Sequence, residues 1–134
     1  MQIVVNVDVD DLEKAIEFYT GALGLRLGRL LFEGSVAEML GASSTIHLLS
    51  KPSGSAAVPM SAISREYHRH WTPVHLDFAV ADVLATVERA IAAGAKLEGE
   101  IQPFPWGRIA AMSDPFGHGF CVLQLRASGY DAVA

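Results

Sequence analysis

The residues able to do chemistry in this chain are few and scattered. There are five histidines, His47, His68, His70, His75 and His118, and one cysteine, Cys121. A lone cysteine excludes an internal disulfide. Cys121 lies mid-strand in an apolar run, Gly119-Phe120-Cys121-Val122-Leu123, with no basic residue nearby to stabilise a thiolate. It reads as a small buried hydrophobe rather than a nucleophile. His68 and His70 are spaced by one residue and could share a metal only on a strand or bend. A surface cluster with Trp71 is the plainer reading, in which Tyr67 and Trp71 cover a cleft mouth or a contact between copies. Trp106-Gly107-Arg108 could form a small ligand site. Gly107 would let a ligand approach the backbone, and Arg108 could hold a carboxylate or phosphate through two hydrogen bonds. Phe104 and Trp106 supply an aromatic wall. No glycine-rich phosphate cradle is present.

Size and composition narrow the field. The chain has 134 residues, 51% apolar and 19% charged, with a formal net charge of −5. That is the composition of one globular domain. The basic residues form no face suited to nucleic acid, apart from the local group Arg65, His68, Arg69 and His70. No apolar run is long enough to cross a bilayer. Met1 to Val9 has no basic segment followed by an apolar stretch, so a cytoplasmic location is expected.

The elements that must position these residues follow from periodicity. In Met1–Val9, Ile3, Val5, Val7 and Val9 should pack under a helix, while Val4, Asn6 and Asp8 face the other way. Asp10 with Glu13 has capping-box spacing. Leu12, Ala15, Ile16, Tyr19 and Leu23 form the apolar stripe of a helix that Gly21 and Gly24 end near residue 22. Strands are expected at about 25–32, 35–40 and 44–50. Residues 51–62, rich in Ser, Pro, Gly and Ala, read as an exposed linker. Residues 63–72 read as a connection with a helical turn.

The pattern then restarts. Pro73–Val80 reads as a strand with His75 and Asp77 on one face and Val74, Leu76, Phe78 and Val80 on the other. Asp82 caps a helix whose stripe is Val83, Leu84, Val87, Ala90 and Ile91, ended by Gly94. Strands follow at about 96–102, 106–113 and 119–125, the last two joined by the type I turn Asp114-Pro115-Phe116-Gly117. Residues 127–134 read as a loose tail.

The two halves align residue by residue. Val4-Val5-Asn6-Val7-Asp8-Val9-Asp10-Asp11 matches His75 to Asp82, and Thr45-Ile46-His47-Leu48-Leu49 matches Gly119 to Leu123. The chain is therefore expected to be α+β, with unit one at about 1–50, a linker at 51–72, unit two at 73–126 and a tail at 127–134. Each unit is strand, helix, three strands. Its helix covers one sheet face, and the other face must meet a partner or a ligand. Asn6 and Asp77, as repeat equivalents, either orient a polar ligand there or bond across the strand pair.

With these residues in view, the chain resembles the vicinal oxygen chelate superfamily, which includes glyoxalase I, bleomycin-resistance proteins, fosfomycin-resistance enzymes and extradiol dioxygenases. The segments are Val9 to Tyr19 with Leu23-Gly24, then His75 to Asp82, then Ser113 to His118. The resemblance implies paired βαβββ units forming a cupped mixed-sheet cleft with the helices outside, often completed by a homodimer. It also implies up to four metal ligands, His, Glu or Gln, from the first and last strand of each unit. Here those positions are Val4, His47, His75 and Cys121. His75 fits, His47 is competent, Val4 cannot bind metal, and Cys121 stands where Glu is usual. A three-ligand zinc site of His47, His75 and Cys121 is chemically feasible. The expected function is metal-free binding of a small molecule by Asn6, His47, His75, Asp77, Trp106, Arg108 and Cys121, with no cofactor. The alternative is a lyase, isomerase or dioxygenase with one divalent metal (Zn, Ni, Mn or Fe) on His47 and His75.

Overall fold

The computed structural model describes residues 1–134. The chain divides into two compact units, Met1–His68 and Arg69–Ala134. The fold is α+β, with one helix and one open mixed sheet in each unit.

In the first unit, β1 (Val4–Val9) leads to α1 (Leu12–Leu23), then β2 (Arg26–Leu31), β3 (Val36–Leu40) and β4 (Thr45–Ser50). The sheet order is β1-β4-β3-β2, with β1 parallel to β4 and the other pairs antiparallel. The alternation in β1 holds from Val4 onward, with Val9 buried, Val5 and Val7 half-buried, and Val4 and Asn6 exposed; Ile3, expected to pack under the helix, precedes the strand and is exposed. The helix cap is Asp11, not Asp10. Asp11 is extended, and its carboxylate accepts the Lys14 N–H at 3.0 Å. That moves the cap one residue later and removes Glu13 from the capping box. The buried stripe of α1 is Ala15, Phe18, Tyr19 and Ala22. Sequence reading missed Phe18 and included Leu12, Ile16 and Leu23, which are half-buried at the edge of the stripe. Gly21 lies within the last turn, and only Gly24, at φ 69°, ends the helix.

The expected linker is better ordered than its composition suggests. Arg65 donates to the Asp8 carboxylate at 2.6 Å and to the Ala56 and Ala57 carbonyls, and Ala56 bridges Ser64. One guanidinium thus gathers a Ser/Ala/Pro-rich loop that cannot build its own core. Tyr67 donates its hydroxyl to the Lys51 carbonyl at 2.7 Å. Residues 63–72 contain no helical turn.

The second unit runs β5 (Leu76–Ala79), α2 (Val83–Ala92), β6 (Lys96–Leu97), β7 (Gln102–Phe104), β8 (Gly107–Ser113) and β9 (Gly119–Leu125). Its order is β5-β9-β8-β6, with β7 on β8 and β5 parallel to β9. The strand expected at 96–102 is interrupted, because Gly99 turns the backbone at φ 85°. β5 is shorter than expected, so His75 precedes it and Val74 is exposed rather than packed. Asp82 caps α2 as expected, accepting from the Ala85 N–H at 3.0 Å. The buried face of α2 is Val83, Thr86, Val87 and Ala90, while Leu84 and Ile91 are exposed. Thr86 is tolerated there because its hydroxyl accepts from Arg89. The tail is not loose throughout: Gly129–Ala132 forms a 3-10 turn, and Tyr130 lies against Trp106 with ring centroids 5.4 Å apart. No helix is long and apolar enough to cross a membrane.

Candidate functional site

The parallel pairing of β5 with β9 sets the chemistry of the second unit. Side chains two residues apart on a strand share a face, which places His75 beside Asp77. The register then sets Asp77 directly opposite Cys121. His75 Nε2 lies 3.1 Å from Asp77 Oδ1. The ligand-capable atoms of His75, Asp77 and Cys121 all lie within 4.8 Å of one another. Burial pushes the Cys121 thiol up to about 11, and the charge of Asp77, a hydrogen bond with it and the charge of Glu98 add to the effect. Cys121 is therefore a protonated thiol at neutral pH and a poor nucleophile.

His75 and Cys121 line a cavity of about 170 Å³, whose other walls include Arg69, Trp71, Thr72 and Glu98; Asp77 lies beside these two residues but not on the lining. Arg69 lines the cavity and forks onto Glu98, with Nη2 3.0 Å from Oε2. Its hydrogen bond holds the Glu98 carboxyl below the usual range, against the opposing effect of burial. Gly119 makes room for this arrangement, since a Cβ there would sit 2.8 Å from Arg69 Nη2. The segment carrying Arg69 and Trp71 is tied to the β8–β9 turn. The His70 N–H donates to the Gly117 carbonyl at 3.2 Å, and His70 Nε2 is 3.2 Å from His118 Nδ1. That turn is itself built on buried Asp114, which accepts from the Phe116 and His118 N–H groups at 2.9 Å each.

The first unit presents the equivalent row. Asn6 pairs with His47, and His47 with Glu38. Arg29 grips Glu38 with two hydrogen bonds of 3.0 and 2.7 Å. This hydrogen bonding, with smaller help from the charges of Arg29 and His47, lowers the Glu38 pKa despite its desolvation. The carboxylate beside His47 is thus already engaged by Arg29.

Trp106 and Arg108 do not line the cavity. Trp106 stacks on Phe104 at 5.3 Å with an interplanar angle of 5°. The space expected beside Gly107 is filled by protein, because a Cβ there would lie 2.1 Å from the Gln124 carbonyl oxygen. Arg108 is exposed, opposite Gln124 on β9 and Pro103 on β7. Sequence reading missed Arg69, Thr72, Glu98 and Gly119 as cavity residues. Only the local basic concentration around Arg69 hinted at them.

A family model described as a glyoxalase-like domain matches residues 3–123. The chain belongs to this family. Its curated relatives include the anthracycline biosynthesis protein DnrV of Streptomyces peucetius, 46% identical over 65 residues. That match covers 48% of this chain and 22% of DnrV, so the chain spans only a small part of the relative's length. Among solved structures, TnmS3, an antibiotic binding protein from Streptomyces sp. CB03234, is 25% identical with a TM-score of 0.64, over 94% of this chain and 96% of that one. The fosfomycin resistance protein FosX from Listeria monocytogenes shares the fold, with a TM-score of 0.71 at 19% identity over 96% of this chain and 93% of that one. The vicinal oxygen chelate resemblance read from the sequence therefore holds.

The glyoxalase-like family's metal arrangement does not fit this chain in full. Of the four positions, Val4 is a hydrocarbon side chain with no donor atom, and Cys121 stands where a carboxylate is usual.

Proposed function

We propose that this glyoxalase-like protein is a cytosolic small-molecule-binding protein whose ligand is a planar polycyclic compound of the antibiotic class. The observation that carries the reading is Trp71. It lines the second unit's cavity yet is 81% exposed, an aromatic face left free at the rim of a polar hollow. Stacking on Trp71 would supply affinity, while Arg69, Glu98 and His75 would bond to the ligand's polar edge. TnmS3 is named as an antibiotic binding protein and DnrV as an anthracycline biosynthesis protein, which supports a ligand of the antibiotic class. Binding of this kind requires no metal. A homodimer belongs to the proposal, supported by exposed Leu27 and Leu30 on edge strand β2.

The test is a titration of the full chain with an anthracycline, followed by tryptophan fluorescence. Saturable quenching is expected, and Trp71→Ala should weaken binding about tenfold, the equivalent of one aromatic stack. Absence of saturable binding across a panel of polycyclic antibiotics, or full affinity in Trp71→Ala, would sink the reading. Sedimentation of the free protein at micromolar concentration tests the dimer.

A further inference from the structure

We infer that His75, Asp77 and Cys121, at the edge of the second unit's cavity, form a three-ligand site for a zinc-class divalent cation. This set departs from the family's arrangement. It draws on one unit alone and uses Asp77, a residue outside the four family positions, where Val4 and His47 play no part.

The backbone creates the site. His75 and Asp77 share a face because they are two residues apart, and Cys121 faces Asp77 through the parallel register of β5 and β9. Strands β5 and β9 thus bring Asp77 and Cys121 together, and His75 joins them from the residue just before β5. The donor atoms lie within 4.8 Å of one another, with His75 Nε2 and Asp77 Oδ1 already at 3.1 Å. Tetrahedral zinc with bonds of about 2.0–2.3 Å places its ligands roughly 3.3–3.8 Å apart. Reaching that spacing takes a side-chain movement of about 1 Å, with the bond lengths of the same geometry.

The donor chemistry selects the cation. One imidazole, one carboxylate and one thiolate form a borderline-to-soft set that favours zinc and cobalt over calcium or magnesium, which require mostly oxygen ligands. One carboxylate and one thiolate also balance a double positive charge. The cation would displace the Cys121 S–H proton to solvent and form a metal–sulfur bond, with no change of oxidation state. Three protein ligands would leave a fourth position open to water or a ligand.

The proposal shares His75 with the antibiotic reading but does not rest on it, and its test uses metal alone. The full chain, stripped with a chelator and dialysed, is titrated with cobalt(II) and then competed with zinc(II). The expected result is one equivalent bound, a thiolate-to-cobalt charge-transfer band, and release of at least about one proton per cation from unbuffered wild-type protein. Cys121→Ser should abolish the band. His75→Ala and Asp77→Asn should each weaken binding at least as much as loss of an outer-shell partner does, about 10–100-fold. His47→Ala should leave affinity unchanged. The proposal is overturned if wild-type protein shows no charge-transfer band or no proton release, measurements that need no variant to fold. It is also overturned if Asp77→Asn binds like wild type, or if His47→Ala loses the cation.

Discussion

Asp77 and Cys121 face each other across β5 and β9, and the carboxylate helps to keep the thiol protonated. Burial is the larger cause of the upward shift, followed by the charge of Asp77 and its hydrogen bond. Cys121 is the sole cysteine, so alkylation reports on it alone. Wild-type protein should react slowly with iodoacetamide at neutral pH, with the rate rising toward a midpoint near 11. Asp77→Asn removes the negative charge and should move that midpoint down, so that the variant reacts severalfold faster at pH ~9. An unchanged rate–pH profile in the variant would refute the coupling.

The same shift has a consequence for stability. A thiol whose pKa is raised on folding contributes stability that is complete below its unfolded value and is lost as pH rises through the folded one. For Cys121 that window runs from 9.0 to about 11. Melting temperature should therefore fall more steeply across this range in wild type than in Cys121→Ala. Parallel curves for the two proteins would contradict the assignment.

Asp114 anchors the turn that holds the cavity's upper segment. It is 5% exposed and accepts two backbone N–H groups, from Phe116 and His118. Asp114→Ala leaves both donors short of a partner and should destabilise the fold by about 2 kcal/mol or more. Asp114→Asn keeps one acceptor oxygen and should cost less. Chemical denaturation of the two variants checks the order, and an Asp114→Ala protein as stable as wild type would show that water replaces the carboxylate at no cost.

Much of this arrangement was legible in the sequence, and the reasons differ by residue. The alignment of His47 with Cys121 and of Asn6 with Asp77 is reproduced by the strand register, Asn6 opposite His47 and Asp77 opposite Cys121. Period-two alternation transmits faces reliably, so the His75–Asp77 pair was visible. The Asp114 turn and the Asp82 cap were visible because their chemistry is local. Arg69 and Glu98 were not, since they are 29 residues apart and meet only through tertiary folding. Gly107 misled because a missing Cβ looks the same in sequence whether a ligand or a neighbouring strand fills the space. The Leu84 and Ile91 error on α2 arose because apolar spacing outweighed the buried hydroxyl of Thr86, which only the Arg89 contact explains.

Gly119 and Arg69 supply the last prediction. A Cβ at position 119 would lie 2.8 Å from Arg69 Nη2 and 3.0 Å from its Cζ. These atoms end a flexible side chain, so Gly119→Ala should fold, with the guanidinium swung off β9. The Arg69–Glu98 pair is partly exposed, and loss of such a pair costs well under about 1 kcal/mol. The visible effect should be on acid behaviour. Glu98 is held below its ordinary value mainly by Arg69, so its contribution is present at neutral pH and is lost as pH falls through the lowered value. In Gly119→Ala the Glu98 carboxyl should titrate higher, nearer 4.5, as read by carboxyl-carbon NMR. Glu98→Gln should make the Gly119→Ala change almost silent in stability, because the two substitutions remove one interaction. Additive losses in the double variant, or an unmoved Glu98 titration, would show that Gly119 serves β9 and not the placement of Arg69.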